Sequence, residues 1–115
     1  MDEISTAGVT KILELKDGRI TESQINPKDL GINPADIDDL KVAEATASAK
    51  IVKDIITGQE VGAGRDIVVL NASAAIIAGG LAEDFASAIK LAEASIDNGS
   101  ALACLEKLIE VSNGA

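Results

Sequence analysis

The sequence predicts an α/β chain in which a single N-terminal β-hairpin precedes about five helices. Three observations carry this. An Asp-Gly step joins two short apolar-bearing runs near the start, apolar residues recur at three- and four-residue spacing through the rest, and Phe85 is the only aromatic residue in a chain that is 47 % apolar. A core of Ala, Ile, Leu and Val suits closely approaching helices better than aromatic-filled pockets.

The hairpin is expected over 9–25. Val9, Ile12, Leu13 and Leu15 lie in one run and Ile20 to Ile25 forms the other, with Lys16-Asp17-Gly18-Arg19 between them. Asp-Gly is the strongest short hairpin signal, because both central turn positions need φ > 0. The helical part is expected over 33–112. Asn26-Pro27 and Asn33-Pro34 each place a capping residue before a proline suited to a first helical position. Gly31 confines the first to one turn, and the second opens a short helix toward Leu40. A helix follows over Val42 to Thr57, bearing Ile51, Val52, Ile55 and Ile56 and halted at Gly58. Gln59 to Gly64 reads as a loop. Ile67 to Ala78 is apolar on nearly every side, which predicts a helix buried all round. Ile67-Val68-Val69-Leu70 alone would also suit a buried strand, and the Ala-rich continuation favours the helix. Leu81, Phe85, Ala88, Ala92 and Ser95 mark the next helix, and Leu102, Leu105, Leu108 and Ile109 the last, with Ser100 as its cap.

This order carries a physical difficulty. A lone two-stranded hairpin is marginal in water and needs further strands or a covering helix. The chain offers no third convincing strand, so the hairpin either packs on helices alone or belongs to a sheet continued in other sequence or another chain.

Composition excludes several functions. With no histidine there is no Ser-His or Cys-His nucleophile arrangement, no usual general base and no usual zinc ligand. A net charge of -9 argues against nucleic acid and anionic membranes as partners. One cysteine, Cys104, permits no internal disulfide, which suits a reducing cytoplasm, and on an apolar helix face it reads as a small core residue. The opening Met1-Asp2-Glu3 lacks the positive region of a signal peptide, and the apolar stretch Ile67 to Ala82 falls short of a membrane span.

Among candidate sites, Asp2-Glu3 has the clearest chemistry. Two adjacent carboxylates ahead of a β-strand suit a hard divalent cation such as magnesium, which keeps several waters and shares its remaining positions with substrate phosphate. Gly62-Ala63-Gly64 with Arg65 invites a phosphate-loop reading but lacks the Gly-Lys-Ser/Thr ending, so an interhelical loop is preferred. Asp36, Asp38 and Asp39 lack the turn glycine and final glutamate of a calcium loop and read as charge at a helix N-terminus. Asn71 and Ser73, inside the most apolar helix, are expected to bond neighbouring backbone.

Taken together, these residues resemble a known family. Asp2-Glu3-Ile4-Ser5, Gly8, Thr10 and Glu14-Leu15-Lys16-Asp17-Gly18 are similar to the stretch that opens the last part of anthranilate phosphoribosyltransferases. Pro27-Lys28-Asp29-Leu30-Gly31 looks like that family's Pro-x-Asp-Phe-Gly segment, with leucine in place of phenylalanine. Arg65-Asp66-Ile67-Val68-Val69-Leu70-Asn71-Ala72-Ser73-Ala74-Ala75 resembles its Leu-Asn-Ala helix, and Ala94-Ser95-Ile96-Asp97-Asn98-Gly99-Ser100-Ala101 its Ile-Asp-Ser-Gly close. The four blocks, in order, cover nearly the whole chain.

The resemblance implies a transferase, of the glycosyltransferase kind, that moves phosphoribosyl from phosphoribosyl pyrophosphate to anthranilate in tryptophan biosynthesis. It implies residues 1–115 to be the C-terminal portion of a nucleoside-phosphoribosyltransferase-type α/β domain, roughly the last third of the enzyme. Asp2 and Glu3 would then be ligands of the magnesium that holds the pyrophosphate. The family's glycine-rich diphosphate loop, its anthranilate-binding residues and its small helical domain lie upstream, so the isolated chain is expected to be inactive. It is further expected to dock with that N-terminal segment, or to form a homo-oligomer by exchanging the hairpin. A non-catalytic binding or assembly module built on the same tail is the alternative from another class. A pyrimidine-nucleoside phosphorylase is a third, which the Leu-Asn-Ala helix disfavours.

Overall fold

The computed structural model describes residues 1–114. The hairpin forms where the Asp-Gly step places it. Strands β1 (Thr10–Lys16) and β2 (Arg19–Ile25) pair antiparallel, from Lys16 opposite Arg19 beside the turn to Thr10 opposite Ile25 at the open end. Asp17 and Gly18 both take positive φ, 51° and 74°, the backbone of a primed turn whose twist matches that of the strands. Alternation puts Leu13, Leu15 and Ile20 on one face, beside a Lys11–Glu22 ion pair, and all three apolar side chains stay exposed. Among the described residues the sheet has these two strands only.

The Asn26 side chain accepts the Lys28 N–H, and Pro27–Leu30 makes one 3-10 turn that ends at Gly31, as expected. The short helix expected from Asn33-Pro34 is a second 3-10 turn, Ile37–Leu40, whose cap is Asp36 accepting the Asp38 N–H. No residue of this turn is buried and Lys41 is already extended, so no apolar face holds further turns together. Among the described residues the α-helices therefore number four rather than about five: α1 (Ala45–Ile56), α2 (Ala63–Ala78), α3 (Phe85–Asp97) and α4 (Ser100–Gly114).

α2 starts four residues earlier than its apolar run suggests. Gly62 occupies the cap position, and its N–H donates to Glu60 Oε1 at 2.6 Å. Gly64 falls in the first turn, where a Cβ would stand 3.3 Å from Ile55 Cδ1, so its smallness lets α2 approach α1. Nor is α2 buried all round. Val69, Leu70 and Ser73 are buried while Val68 and Ala75 are exposed, because neighbours cover only part of its circumference. α3 begins at Phe85, with Asp84 as cap accepting the Ser87 N–H at 2.7 Å, and Leu81 lies outside it, exposed. Its buried face is Ala88, Ala92 and Ile96, one residue per turn. Ahead of α4, Asn98 rather than Ser100 supplies the polar stop, accepting the Ser100 N–H at 2.9 Å.

The core is Ile55, Val69, Ala92 and Ile96, with Ala72, Ile76, Ile89 and Ala101 packed against it. Alanines on the facing sides of α2 and α3 let these helices form the main interhelical contact. α4 has no buried residue, and Cys104 is exposed instead of lying in the core, because the apolar side of α4 meets little of the rest. No helix among the described residues is long and apolar enough to cross a membrane.

Candidate functional site

The hairpin stands off the helices and leaves a groove of about 830 Å³. One wall is the segment from Asp2 to Ile4 with β1; the other is the end of α2, at Ala74, Ile77 and Ala78, and the start of α3, at Phe85. The middle of the groove is aliphatic, with charges along its rim: Asp2, Glu3 and Glu14, then Glu83 and Asp84, with Lys11 and Lys16 as counter-charges.

Asp2 and Glu3 are exposed and line this groove. The residue after them is fixed. Ile4 N–H donates to Asn71 Oδ1 at 2.8 Å, and Asn71 Nδ2 donates back to the Ile4 carbonyl at 2.9 Å. The same Nδ2 donates to the Ile67 carbonyl one helical turn away, also at 2.9 Å. A side-chain amide can donate two hydrogen bonds and accept two; both N–H groups and one lone pair of Asn71 are used. Asn71 thus presents the pairing edge of a strand from the surface of a helix. Further along, Thr10 Oγ1 accepts the Ser5 N–H at 3.2 Å and Thr6 is fully buried, so the approach to β1 is held at several points.

The donor set at Asp2 and Glu3 suits magnesium of the open kind. Carboxylate oxygens are hard donors, and two of them leave most of an octahedron to water and phosphate. A closed all-protein cage is a different matter: no group of three or more His, Cys, Asp or Glu among the described residues is placed to hold a metal.

The other sequence candidates serve the fold. Asp36 caps its own turn and Asp38 pairs with Lys41. The Gly62 N–H, which a phosphate loop would offer to a ligand, is taken by Glu60. Ser73 Oγ donates to the Val69 carbonyl at 2.7 Å, so Asn71 and Ser73 both bond backbone as expected. Burial pushes the Asp66 carboxyl above the usual aspartate range, with Arg65 pulling it partly back and Glu60 adding to the rise. The Ser87 N–H, helped by its hydroxyl, holds Asp84 below that range despite a small opposing effect of burial. Sequence reasoning did not find the far rim. Glu83, Asp84 and Phe85 lie about 80 residues from Asp2, with no motif to join them, and the anchoring of Ile4 on α2 helps bring the two walls together.

The chain belongs to the glycosyl transferase family, a/b domain, which matches residues 1–102. Among individual proteins it is similar to the anthranilate phosphoribosyltransferase of Rubrobacter xylanophilus, with 41 % identity over 112 residues, 97 % of this chain and 33 % of that protein. Its fold is that of the Saccharomyces cerevisiae anthranilate phosphoribosyltransferase in complex with 4-fluoroanthranilate, with a TM-score of 0.88, 22 % identity, and coverage of 100 % of this chain and 34 % of that one. A variant of the yeast enzyme with magnesium bound aligns with a TM-score of 0.87 at 22 % identity, covering 100 % of this chain and 33 % of that one. The chain thus spans about a third of the length of the relatives it matches.

Proposed function

We propose that residues 1–115 are the C-terminal portion of the α/β domain of an anthranilate phosphoribosyltransferase, the enzyme that transfers phosphoribosyl from phosphoribosyl pyrophosphate to anthranilate in tryptophan biosynthesis. The observation that carries this reading is the 41 % identity sustained over 97 % of the chain. Asp2 and Glu3 are the magnesium ligands in this proposal. They supply two hard donors at the lip of the groove, and the pyrophosphate and water complete the coordination. Magnesium, when bound, neutralises charge on the departing pyrophosphate. The chain's own part is to hold two carboxylates at the groove and to wall it with aliphatic side chains.

The remaining two-thirds of the relatives' length accounts for what the chain lacks. The exposed Leu13, Leu15 and Ile20 need cover, and the upstream part of the same enzyme is the partner that would supply it. Substrate contacts beyond the metal belong to that part, so the 115 residues alone are expected to be inactive. A cytoplasmic location, where a charged phosphorylated donor is retained, completes the proposal; in the isolated chain the same uncovered surface would instead join copies of the chain into a homo-oligomer. The decisive experiment follows the loss of anthranilate fluorescence with phosphoribosyl pyrophosphate and magnesium, for this chain alone and mixed with the upstream two-thirds of the enzyme. Turnover appearing only on mixing is the expected result. Turnover by the chain alone would overturn the assignment of substrate sites, and silence in the mixture would count against the segment reading.

A further inference from the structure

Asn71 lies on α2, yet its side chain bonds both backbone groups of Ile4, the residue next to Glu3. Three features separate this contact from ordinary helix packing. Asn71 replaces a strand partner, bonding N–H and C=O of one residue, which fixes the local peptide planes and not merely the position of a side chain. It reaches across 67 residues, so no local turn can substitute for it. It is also itself held, since its Nδ2 has a second acceptor in Ile67 on its own helix, which restricts rotation of the amide.

We infer that Asn71 is a positioning residue for the Asp2–Glu3 carboxylates: by fixing the Ile4 backbone it directs the pair into the groove and so sets the affinity for a divalent cation with its phosphate partner. The inference rests on the reading of Asp2 and Glu3 as metal ligands. A carboxylate on an untethered backbone samples many orientations, and a cation must then order it at an entropic cost. Fixing the adjacent peptide removes part of that cost beforehand, the role that residues behind a ligand play in metal sites generally. Asn71 touches neither cation nor substrate, and acts through Ile4.

The test uses the isotope-labelled 115-residue chain, with manganese as paramagnetic probe and inorganic pyrophosphate as phosphate partner. In the unsubstituted chain, amide signals of Asp2, Glu3 and Ile4 broaden first as manganese is added. Asp2→Asn/Glu3→Gln must abolish that selective broadening; if it does not, the metal reading itself fails. Asn71→Leu, of similar size but without hydrogen bonds, is expected to weaken manganese binding about tenfold, the lower end of the range for residues behind a metal ligand. Val69→Ala, a core truncation on the same helix, controls for lost stability and is expected to leave manganese affinity unchanged. Asn71→Leu with the affinity of the unsubstituted chain, while the carboxylate variant loses binding, would overturn the inference and spare the metal reading.

A second arm needs no variant. Coupling is reciprocal, so a cation bound by Asp2 and Glu3 must tighten the Ile4–Asn71 bonds. Magnesium with pyrophosphate is expected to slow hydrogen exchange of the Ile4 amide and leave that of Leu70 unchanged. An Ile4 amide that exchanges at the same rate with and without magnesium pyrophosphate, in a chain shown to bind it, would defeat the inference.

Discussion

Arg65 in the first turn of α2 and Asp97 at the end of α3 form an ion pair of 2.8 Å that ties the two helices together beside the core. The partners are unequal. The Arg65 side chain is 15 % exposed and that of Asp97 62 % exposed, so removing the carboxylate strands a largely covered cation. Asp97→Ala is expected to destabilise the chain by about 1 kcal/mol, at the upper end for exposed pairs and well short of a buried one. Urea unfolding of Asp97→Ala, Arg65→Met and the double variant would measure the coupling. A double variant more stable than Asp97→Ala indicates that the stranded guanidinium is the source of the loss.

Ile55 links α1 to the α2–α3 layer and is 3 % exposed. Ile55→Ala is expected to cost about 2–4 kcal/mol, the range for truncating a buried aliphatic side chain. Ile51 on the same helix is 39 % exposed, and Ile51→Ala should cost far less. Equal losses in thermal unfolding would show that α1 does not pack as described.

The hairpin turn gives a backbone prediction. Gly18 has φ 74°, a region where a Cβ is strained, so Gly18→Ala should destabilise by about 1 kcal/mol although open space surrounds it. Asp17→Asn should be neutral within about 0.5 kcal/mol, since asparagine tolerates the same conformation. Exchange rates of the amides flanking the turn would report both, and unchanged rates in Gly18→Ala would argue against a primed turn.

Asp84 predicts the sign of an acid effect. Its folded pKa is depressed because it accepts the Ser87 N–H. Its contribution is therefore fully present above the unfolded-state pKa of about 3.9 and is lost as the pH falls through the lower folded value. Asp84→Asn keeps an acceptor at the cap but carries no charge, so its melting temperature should fall less steeply with acid than that of the unsubstituted chain. The two curves should converge at low pH. Curves that stay parallel would remove Asp84 from the acid response.

What could be read in the sequence follows the range of the interactions. The hairpin needed only Asp17 and Gly18, and the first 3-10 turn only Asn26, Pro27 and Gly31, all local instructions. Asn33-Pro34 misled because a good start signal cannot make a helix without an apolar face behind it, and Asp36 two residues later was the better cap. The reading of α2 as buried all round failed for a related reason: hydrophobicity records what a residue tolerates, while exposure of Val68 depends on which neighbours are present. Asp2 and Glu3 are proposed as metal ligands from their chemistry and a resemblance. The bond from Asn71 to Ile4 could be anticipated as a need for some backbone partner, but not as this partner, because nothing local encodes a pairing across 67 residues.

That span also orders events in time. The hairpin and the helix pairs close through short loops, on the microsecond scale of local elements. The bond between Ile4 and Asn71 must wait until α2 is in place, because only a seated helix presents both edges of the amide to the arriving Ile4 backbone. The carboxylate lip is then among the last features to assemble and the first to let go. A cation that binds only the closed form adds its binding free energy to that final step. If Asp2 and Glu3 hold a cation as proposed, its concentration should act on the opening of this one corner of the molecule well before it affects the melting of the helical core.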